Sequence, residues 1–115
     1  MIFGMTYKQG EILIVPFPFS DLKGAKQRPV LVLSKTDYNN ICDDVITCGL
    51  TSNLRDSDYS VLIDDKDLAE GRIPVTSRIK VDKLFTLEKT IVRKKVARVN
   101  RETMDKVRRE FFRLI

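Results

Sequence analysis

Residues 29–34 have the sequence PVLVLS, a short apolar run rich in valine, and such a run predicts a buried β-strand. Working outward from it, similar apolar runs predict an earlier strand over residues 11–15 and a later one over residues 45–50. Pro16 and Pro18 are expected to end the first strand, because proline cannot donate a hydrogen bond to a sheet. Three strands are thus predicted in the first half of the chain.

Polar segments separate these strands. Residues 20–26 contain a glycine and are expected to form a loop, and residues 37–40 a turn or short connection. Alternating apolar positions predict a fourth and a fifth strand. Residues 87–98 are compatible with either a strand or a helical turn. These further strands cover residues 59–63 and 78–85, with a short sixth strand at residues 96–99.

The last segment has the pattern of an amphipathic helix. Asn100 can cap its N-terminus and Glu102 lies in its first turn. Apolar residues then recur at spacings of three and four, at Met104, Val107, Phe111 and Leu114. The sequence therefore predicts a mainly β protein, with about five to six antiparallel strands forming one small barrel, and a C-terminal helix. At 115 residues we expect a single domain over residues 1–115.

The charge of the chain is compatible with a polyanionic partner. It carries 21 Lys and Arg against 16 Asp and Glu, a net charge of +5, and no histidine. Much of the excess lies in residues 86–115, where a solvated helix face would give the same count. The longest apolar stretch, residues 12–19, is interrupted by prolines and too short to cross a membrane. With no secretory signal at the start, a cytoplasmic protein without membrane partners is expected.

The cysteines and acidic residues do not predict a metal or cofactor site. Cys42 and Cys48 have no histidine to complete a zinc site, and reduced, partly buried thiols are expected. The acidic residues of segment 56–70 match no coordination loop and are interpreted as a solubilising surface.

Two short motifs carry the candidate chemistry. Lys26, Gln27 and Arg28 precede Pro29, which restricts Arg28 to extended backbone and should hold its guanidinium at the sheet rim. A guanidinium binds phosphate through two hydrogen bonds, although a rim arginine paired with a carboxylate is an equal alternative. Residues 51–53, Thr-Ser-Asn, end the third strand with side chains that bond a phosphate or base, or form an ordinary turn.

These blocks together resemble the MazF/PemK-like toxins of the type II toxin-antitoxin systems. The resemblance runs from about Gly10 to the C-terminal helix, with the blocks in the same order and at similar spacing. It rests on Gly10–Ile12, Pro16–Phe19, Gln27–Ser34, Leu50–Ser52 and Ser77–Leu84. The pairing of an Arg-Pro strand with a strand that ends in Thr-Ser is more specific than any one block.

The resemblance implies an SH3-like barrel, a homodimer, a cognate antitoxin, and metal-independent, sequence-selective cleavage of single-stranded RNA. The catalytic pair of the family falls on Arg28 and Thr51, and the attacking group would be an RNA 2′-hydroxyl that forms a cyclic phosphate. Gln27 stands where some members have histidine. The RNA-binding candidates are Phe17, Phe19, Lys26, Gln27, Ser52, Asn53, Ser77, Arg78 and Lys80. Alternatives are a gyrase-directed toxin without RNA chemistry and an RNA-binding module that does not cleave.

Overall fold

The computed structural model describes residues 6–17 and 26–115. These residues form seven strands, two helices and two 3-10 turns, at Asp65–Asp67 and Lys89–Ile91. The strands are β1 Glu11–Phe17, β2 Lys26–Val32, β3 Asp44–Thr51, β4 Ser60–Ile63, β5 Leu68–Gly71, β6 Ser77–Glu88 and β7 Lys94–Val99. The helices are α1 Thr36–Ile41 and α2 Arg101–Leu114. The prediction of a mainly β fold with a terminal helix is confirmed, with seven strands instead of five or six.

All strands belong to one antiparallel sheet of order β4-β6-β3-β2-β1-β7-β5. Val61 and Ile63 of β4, at one edge, share a hydrophobic core with Val99 of β7, near the other edge. Residues from distant strands can meet in one core only if the sheet curls, so the expected barrel is an open half-barrel. Ile12, Leu31 and Ile79 lie fully buried within this larger core.

A smaller second core lies on the other side of the sheet. Alternate residues of a strand point to opposite faces, so Leu13, Val15 and Val30 are separated from Ile12 and Leu31. Tyr7, Val32 and Val45 also belong to this buried cluster. The continuous apolar runs of β1 and β2 follow from burial on both faces.

Helix α2 packs its apolar stripe against the larger core, as the spacing predicts. Asn100 caps the helix by accepting a hydrogen bond from the Thr103 N–H at 2.9 Å. Met104 and Val107 are buried in the larger core, and Phe111 packs on it. Neither described helix has the length and hydrophobicity that crossing a membrane requires.

The prediction that the prolines end β1 is wrong for Pro16, which pairs with Gln27 inside the strand. The Ile14 carbonyl accepts a hydrogen bond from Arg93 N–H at 2.8 Å, on the side that faces β7. Backbone groups of alternate residues point to the same side, so the Pro16 nitrogen also faces that way. The pairing of β1 with β7 ends at Ile14 and Lys94, so no ladder hydrogen bond is lost at Pro16.

Two elements were not predicted. Residues 37–40 lie in the short helix α1 instead of a turn, because Asn39 is buried and anchors it. The Asn39 amide donates to the carbonyls of Tyr7, at 2.9 Å, and Ser34, at 3.0 Å. Strand β5 contains one large apolar residue, Leu68, so its sequence shows no alternation, and only its pairing with β7 makes it a strand.

The remaining expectations concern residues 87–98, the first loop and the cysteines. Residues 87–98 contain the end of β6, a 3-10 turn and most of β7. Lys26, expected in the loop, begins β2, and residues 20–25 lie outside the described residues. Both cysteines are free thiols, as predicted. Burial, with a smaller contribution from Asp82, raises the pKa of Cys48 well above its usual range.

Candidate nucleic-acid interface

Arg28 and Thr51 lie on neighbouring strands, Arg28 near the start of β2 and Thr51 at the end of β3. The last pair between β2 and β3 is Val30 with Gly49, and the same register continued by two residues places Arg28 opposite Thr51. Thr51 in turn pairs with Arg78 on β6. Because opposite residues of a sheet share a face, the three side chains form one row at the end of the buried strands.

No carboxylate of the described residues neutralises the Arg28 guanidinium. It is exposed, and within residues 6–17 and 26–115 it has no ion pair or hydrogen bond. The alternative of a rim arginine held by a carboxylate is therefore not supported in the described part of the chain. All five N–H donors of the guanidinium remain available to an anion.

The Thr51 hydroxyl has a defined orientation. Thr51 is half-buried, and its oxygen accepts a hydrogen bond from the Asn53 N–H at 3.1 Å. The Asn53 side-chain oxygen accepts in the same way from Arg55 N–H, at 3.1 Å. Since the Thr51 oxygen is used as an acceptor, its hydroxyl proton is left to donate to a bound group.

Two grooves meet at the Arg28–Thr51 pair. The first, here called the loop groove, has a volume of about 530 Å³ and runs beside the loop between β3 and β4. Its basic lining residues are Arg28, Arg55, Lys80 and Lys83. The described residues of its lining include no Asp or Glu, and the nearby Asp82 carboxylate lies 4.0 Å from the Lys80 Nζ.

The second, here called the core-end groove, has a volume of about 650 Å³ and lies over the end of the larger core. Core residues Ile12, Leu50 and Ile73 form part of its lining. Its basic lining residues are Lys26, Arg28, Arg72 and Lys94. In the described part of this lining, too, no carboxylate is present. Arg28 and Thr51 line both grooves and therefore lie where the grooves join.

Arg78 holds the loop between β3 and β4 in place. Its Nε donates to the Leu54 carbonyl at 3.2 Å, and its Nη1 donates to the Ser60 hydroxyl at 3.1 Å. A third nitrogen lies 3.4 Å from the Asp56 carboxylate. With a side chain only 13% exposed, Arg78 is occupied by contacts within the protein. Arg78 was a candidate phosphate contact in the sequence analysis. In the structure its guanidinium anchors the loop between β3 and β4.

Lys80 supports the same loop from the next position on this face of β6. Its Nζ donates to the Ser57 hydroxyl at 2.8 Å, and the Ser60 hydroxyl donates to the Ser57 carbonyl at 2.6 Å. Tyr59 closes the loop with a left-handed backbone, φ 57°, which is unfavourable for a side chain of this size. The Tyr59 carbonyl accepts from Val81 N–H at 2.9 Å, and this bond helps to hold that conformation.

The other sequence candidates are distributed around the pair. Asn53 lines the loop groove, while Lys26, Gln27, Ser52 and Ser77 line the core-end groove. Ser77 is buried, and its hydroxyl donates to the Val75 carbonyl at 3.0 Å, so only a small surface faces the groove. The backbone of Phe17 ends β1. Phe19 lies outside the described residues.

Four basic residues of the two grooves were missed by the sequence analysis. Arg55 and Lys83 line the loop groove, and Arg72 and Lys94 line the core-end groove. Neither single basic residues such as Arg72 nor the basic run Arg93-Lys94-Lys95 indicates a groove by itself, and only the pairing of distant strands brings these residues into grooves that Arg28 also lines. Among the described residues, no three Cys, Asp or Glu side chains come together as a metal site requires.

Comparison with known families identifies the chain. Residues 8–115 match the model of the PemK-like, MazF-like toxins of type II toxin-antitoxin systems. The match spans nearly the whole chain, and the chain therefore belongs to this family. No curated protein sequence matches it.

Solved structures share the fold. An endoribonuclease from Mycobacterial species is 23% identical to this chain, with a TM-score of 0.73. The match covers 92% of this chain and 88% of the endoribonuclease chain. An endoribonuclease in complex with its cognate antitoxin, also from Mycobacterial species, is 21% identical over 91% and 90%, with a TM-score of 0.75. A MazE-MazF structure from Deinococcus radiodurans is 21% identical over 95% and 94%, with a TM-score of 0.74. At these identities the likeness establishes a common architecture.

Proposed function

We propose that this toxin is an endoribonuclease that cleaves single-stranded messenger RNA at selected sequences and thereby stops translation and growth. The observation that carries the proposal is that Arg28, which has no ion pair among the described residues, and Thr51 line both basic grooves and lie at their junction. Family membership and the structural similarity to two endoribonucleases support the same conclusion.

The proposed reaction is attack of an RNA 2′-hydroxyl on the adjacent phosphorus. The new bond joins O2′ to phosphorus, the bond from phosphorus to O5′ breaks, and the products are a 2′,3′-cyclic phosphate and a 5′-hydroxyl. The proton lost by the 2′-hydroxyl is balanced by the proton gained at O5′. DNA lacks the attacking group and should not be cleaved.

Arg28 and Thr51 divide the work at the phosphate. Negative charge grows on the non-bridging oxygens as the phosphorane forms, and Arg28 offers several N–H donors with a full positive charge. Thr51 donates its hydroxyl proton to the phosphate and fixes its orientation, since its oxygen is already held by Asn53. No metal ion is required by this mechanism.

Substitution of Arg28 tests the proposal. A preorganised donor to a developing oxyanion contributes about 3 to 4 kcal/mol, so Arg28→Ala should slow cleavage by roughly two to three powers of ten. Arg28→Lys keeps the charge without the planar fork, and we expect it to recover only part of the rate. The matched control is Arg101→Ala, an exposed arginine on α2, which should cleave at the parent rate.

Incubation with total RNA in excess EDTA, followed by mapping of the new ends, distinguishes the alternatives. A consistent short sequence at ends that carry cyclic phosphate is the expected result. A gyrase-directed toxin would leave the RNA intact, and a non-catalytic module would bind RNA in a salt-sensitive manner without new ends. Parent-like cleavage by a folded Arg28→Ala protein would show that the assigned role is wrong.

We also propose that the toxin is a homodimer neutralised by a cognate antitoxin in the cytoplasm. A structural neighbour bound to its antitoxin supports the partner, and the acid-free grooves suit a segment rich in Asp and Glu. Light scattering on the purified protein should give twice the chain mass of 13.3 kDa.

A further inference from the structure

The core-end groove contains basic residues that the cleavage chemistry does not use. Arg72 and Lys94 line it beyond the Arg28–Thr51 pair, and both are exposed. They come from segments more than twenty residues apart, the connection between β5 and β6 and the start of β7. Their presence in one groove is therefore a product of the fold.

Gly71 makes this arrangement possible. Its backbone is left-handed, with φ 74°, and a Cβ at this position would lie 2.1 Å from the Val96 carbonyl oxygen. Without a side chain, the end of β5 approaches β7 closely enough for the Arg72 N–H to donate to that oxygen at 3.3 Å. Arg72 is thereby held beside β7, and the chain that follows it crosses the end of the larger core.

In the described part of the chain, the basic residues of this groove have no carboxylate partner. Elsewhere, cations such as Lys95, Arg98 and Arg108 form ion pairs with nearby acids. Within the described residues, neither Arg72 nor Lys94 makes an ion pair. Unneutralised cations in an acid-free groove create a positive potential that attracts a polyanion.

The groove combines this basic rim with an apolar floor. Ile12 and Ile73 belong to the core below, and Val75 leaves 53% of its surface exposed. Nucleotides present the matching chemistry, since each joins a charged phosphate to a base with an apolar face. The groove is also continuous with the reaction site through Arg28 and Thr51, which a separate binding site would not need.

We propose that the core-end groove binds the RNA nucleotides flanking the scissile phosphate on one side, while the loop groove binds those on the other. Arg72 and Lys94 contact backbone phosphates, and bases pack on the floor beside Val75. This inference rests on the proposed function for its substrate, but it makes a separate claim about where the strand runs.

Binding of RNA of graded length tests the proposal without cleavage. Fluorescein-labelled 2′-O-methyl oligouridines, which cannot undergo 2′-hydroxyl attack, would be titrated from about four to about twelve nucleotides. For the parent, affinity should rise with length until both grooves are filled. For Arg72→Ala/Lys94→Ala, the rise should stop at a shorter length. The slope of log affinity against log salt for the longest oligomer should fall by roughly 1.4, or 0.7 for each lost phosphate contact.

The matched control is Arg101→Ala/Lys106→Ala, which removes the same charge from exposed positions of α2. It should keep the length dependence of the parent, and thermal melting confirms that both proteins are folded. The proposal is overturned if the Arg72/Lys94 variant keeps the length dependence and the salt slope of the parent. That result is expected if the groove binds an acidic peptide instead of RNA. Equal weakening by both double variants also overturns it, since net charge would then explain the effect.

A cleavage assay separates this inference from the proposed function. If the parent binds oligouridine with the expected dependence on Arg72 and Lys94 but cleaves no RNA, the nuclease proposal fails and the binding groove stands. If the parent cleaves RNA, and a longer substrate raises the cleavage rate of the double variant as much as that of the parent, the nuclease proposal stands and the groove assignment fails.

Discussion

Arg78→Ala should release the loop between β3 and β4 while leaving the fold intact. The substitution removes two hydrogen bonds donated by the guanidinium, to the Leu54 carbonyl and to the Ser60 hydroxyl. It also removes the ion pair with Asp56, whose side chain is 91% exposed and therefore adds little. At about 1 kcal/mol for each hydrogen bond, attachment of the loop should weaken by about 2 kcal/mol.

Limited trypsin digestion measures this release at Arg55, an exposed residue of the loop. When opening is fast relative to cleavage, proteolysis follows the population of the open state. A loss of about 2 kcal/mol should therefore accelerate cleavage after Arg55 by roughly 30-fold, because 1.4 kcal/mol corresponds to about tenfold. Arg78→Lys retains the charge without the fork of donors, and we expect it to behave nearly like Arg78→Ala.

Arg98→Ala is the matched control, since it removes an arginine ion-paired with Glu70 at 2.8 Å on the distant strand β7. Cleavage after Arg55 should be unchanged in that variant. Mass spectrometry of the first fragments identifies the cut site, and circular dichroism confirms folding. A folded Arg78→Ala protein that is cut after Arg55 at the parent rate would refute the anchoring role.

Three further predictions concern proton transfer, the thiols and a backbone position. The chain has no histidine, and the described linings of the two grooves contain no carboxylate, so neither group is there to act as the acid or base of the cleavage reaction. The logarithm of the cleavage rate should therefore rise steadily from about pH 6 to about pH 9, and a bell-shaped pH profile would contradict this prediction. Burial raises the pKa of Cys48 and lowers its thiolate fraction at every pH, so iodoacetamide should modify half-buried Cys42 in the folded protein and Cys48 only after unfolding, as peptide mapping would reveal. Gly71→Ala should lower the free energy of unfolding by about 3 kcal/mol in urea titration, because the new Cβ would lie 2.1 Å from the Val96 carbonyl oxygen and the backbone φ is positive. The control Gly10→Ala shares the positive φ, but its Cβ would lie 3.3 Å from the end of the Val99 side chain, so it should cost less, and equal losses would argue against the Val96 contact.

The sequence predicts well those elements in which buried residues follow one another in a regular pattern. Val30 and Leu31 are both buried, on opposite faces of β2, and a continuous apolar run records this directly. In α2, Met104 and Val107 recur at helical spacing because one face of the helix packs on the core. Local periodicity is sufficient in both cases, since each element is buried in a regular way.

The elements that were missed depend on distant partners. Strand β5 exists because Gly71 permits close approach to β7, and α1 exists because Asn39 bonds the Tyr7 carbonyl more than thirty residues away. Pro16 lies inside a strand because the ladder of β7 has already ended. No local pattern contains these facts, because each depends on the three-dimensional position of another segment.

The candidate site also contains residues that the sequence identifies and residues that it does not. Arg28 and Thr51 were identified by resemblance, and the register of β2 and β3 places them opposite one another. Their catalytic roles stay predictions. Arg72 and Lys94 could not be found in the sequence, because nothing near them indicates that they line a groove with Arg28.

The pairing of β1 with β7 also determines when the protein can become whole during synthesis. Residues 11–14 pair with residues 94–98, so this part of the sheet cannot form until at least eighty further residues have been synthesised. Lys94 reaches the core-end groove at the same moment, and α2 covers the core later still. During synthesis, the core-end groove therefore lacks Lys94 until β7 has been made and has paired with β1.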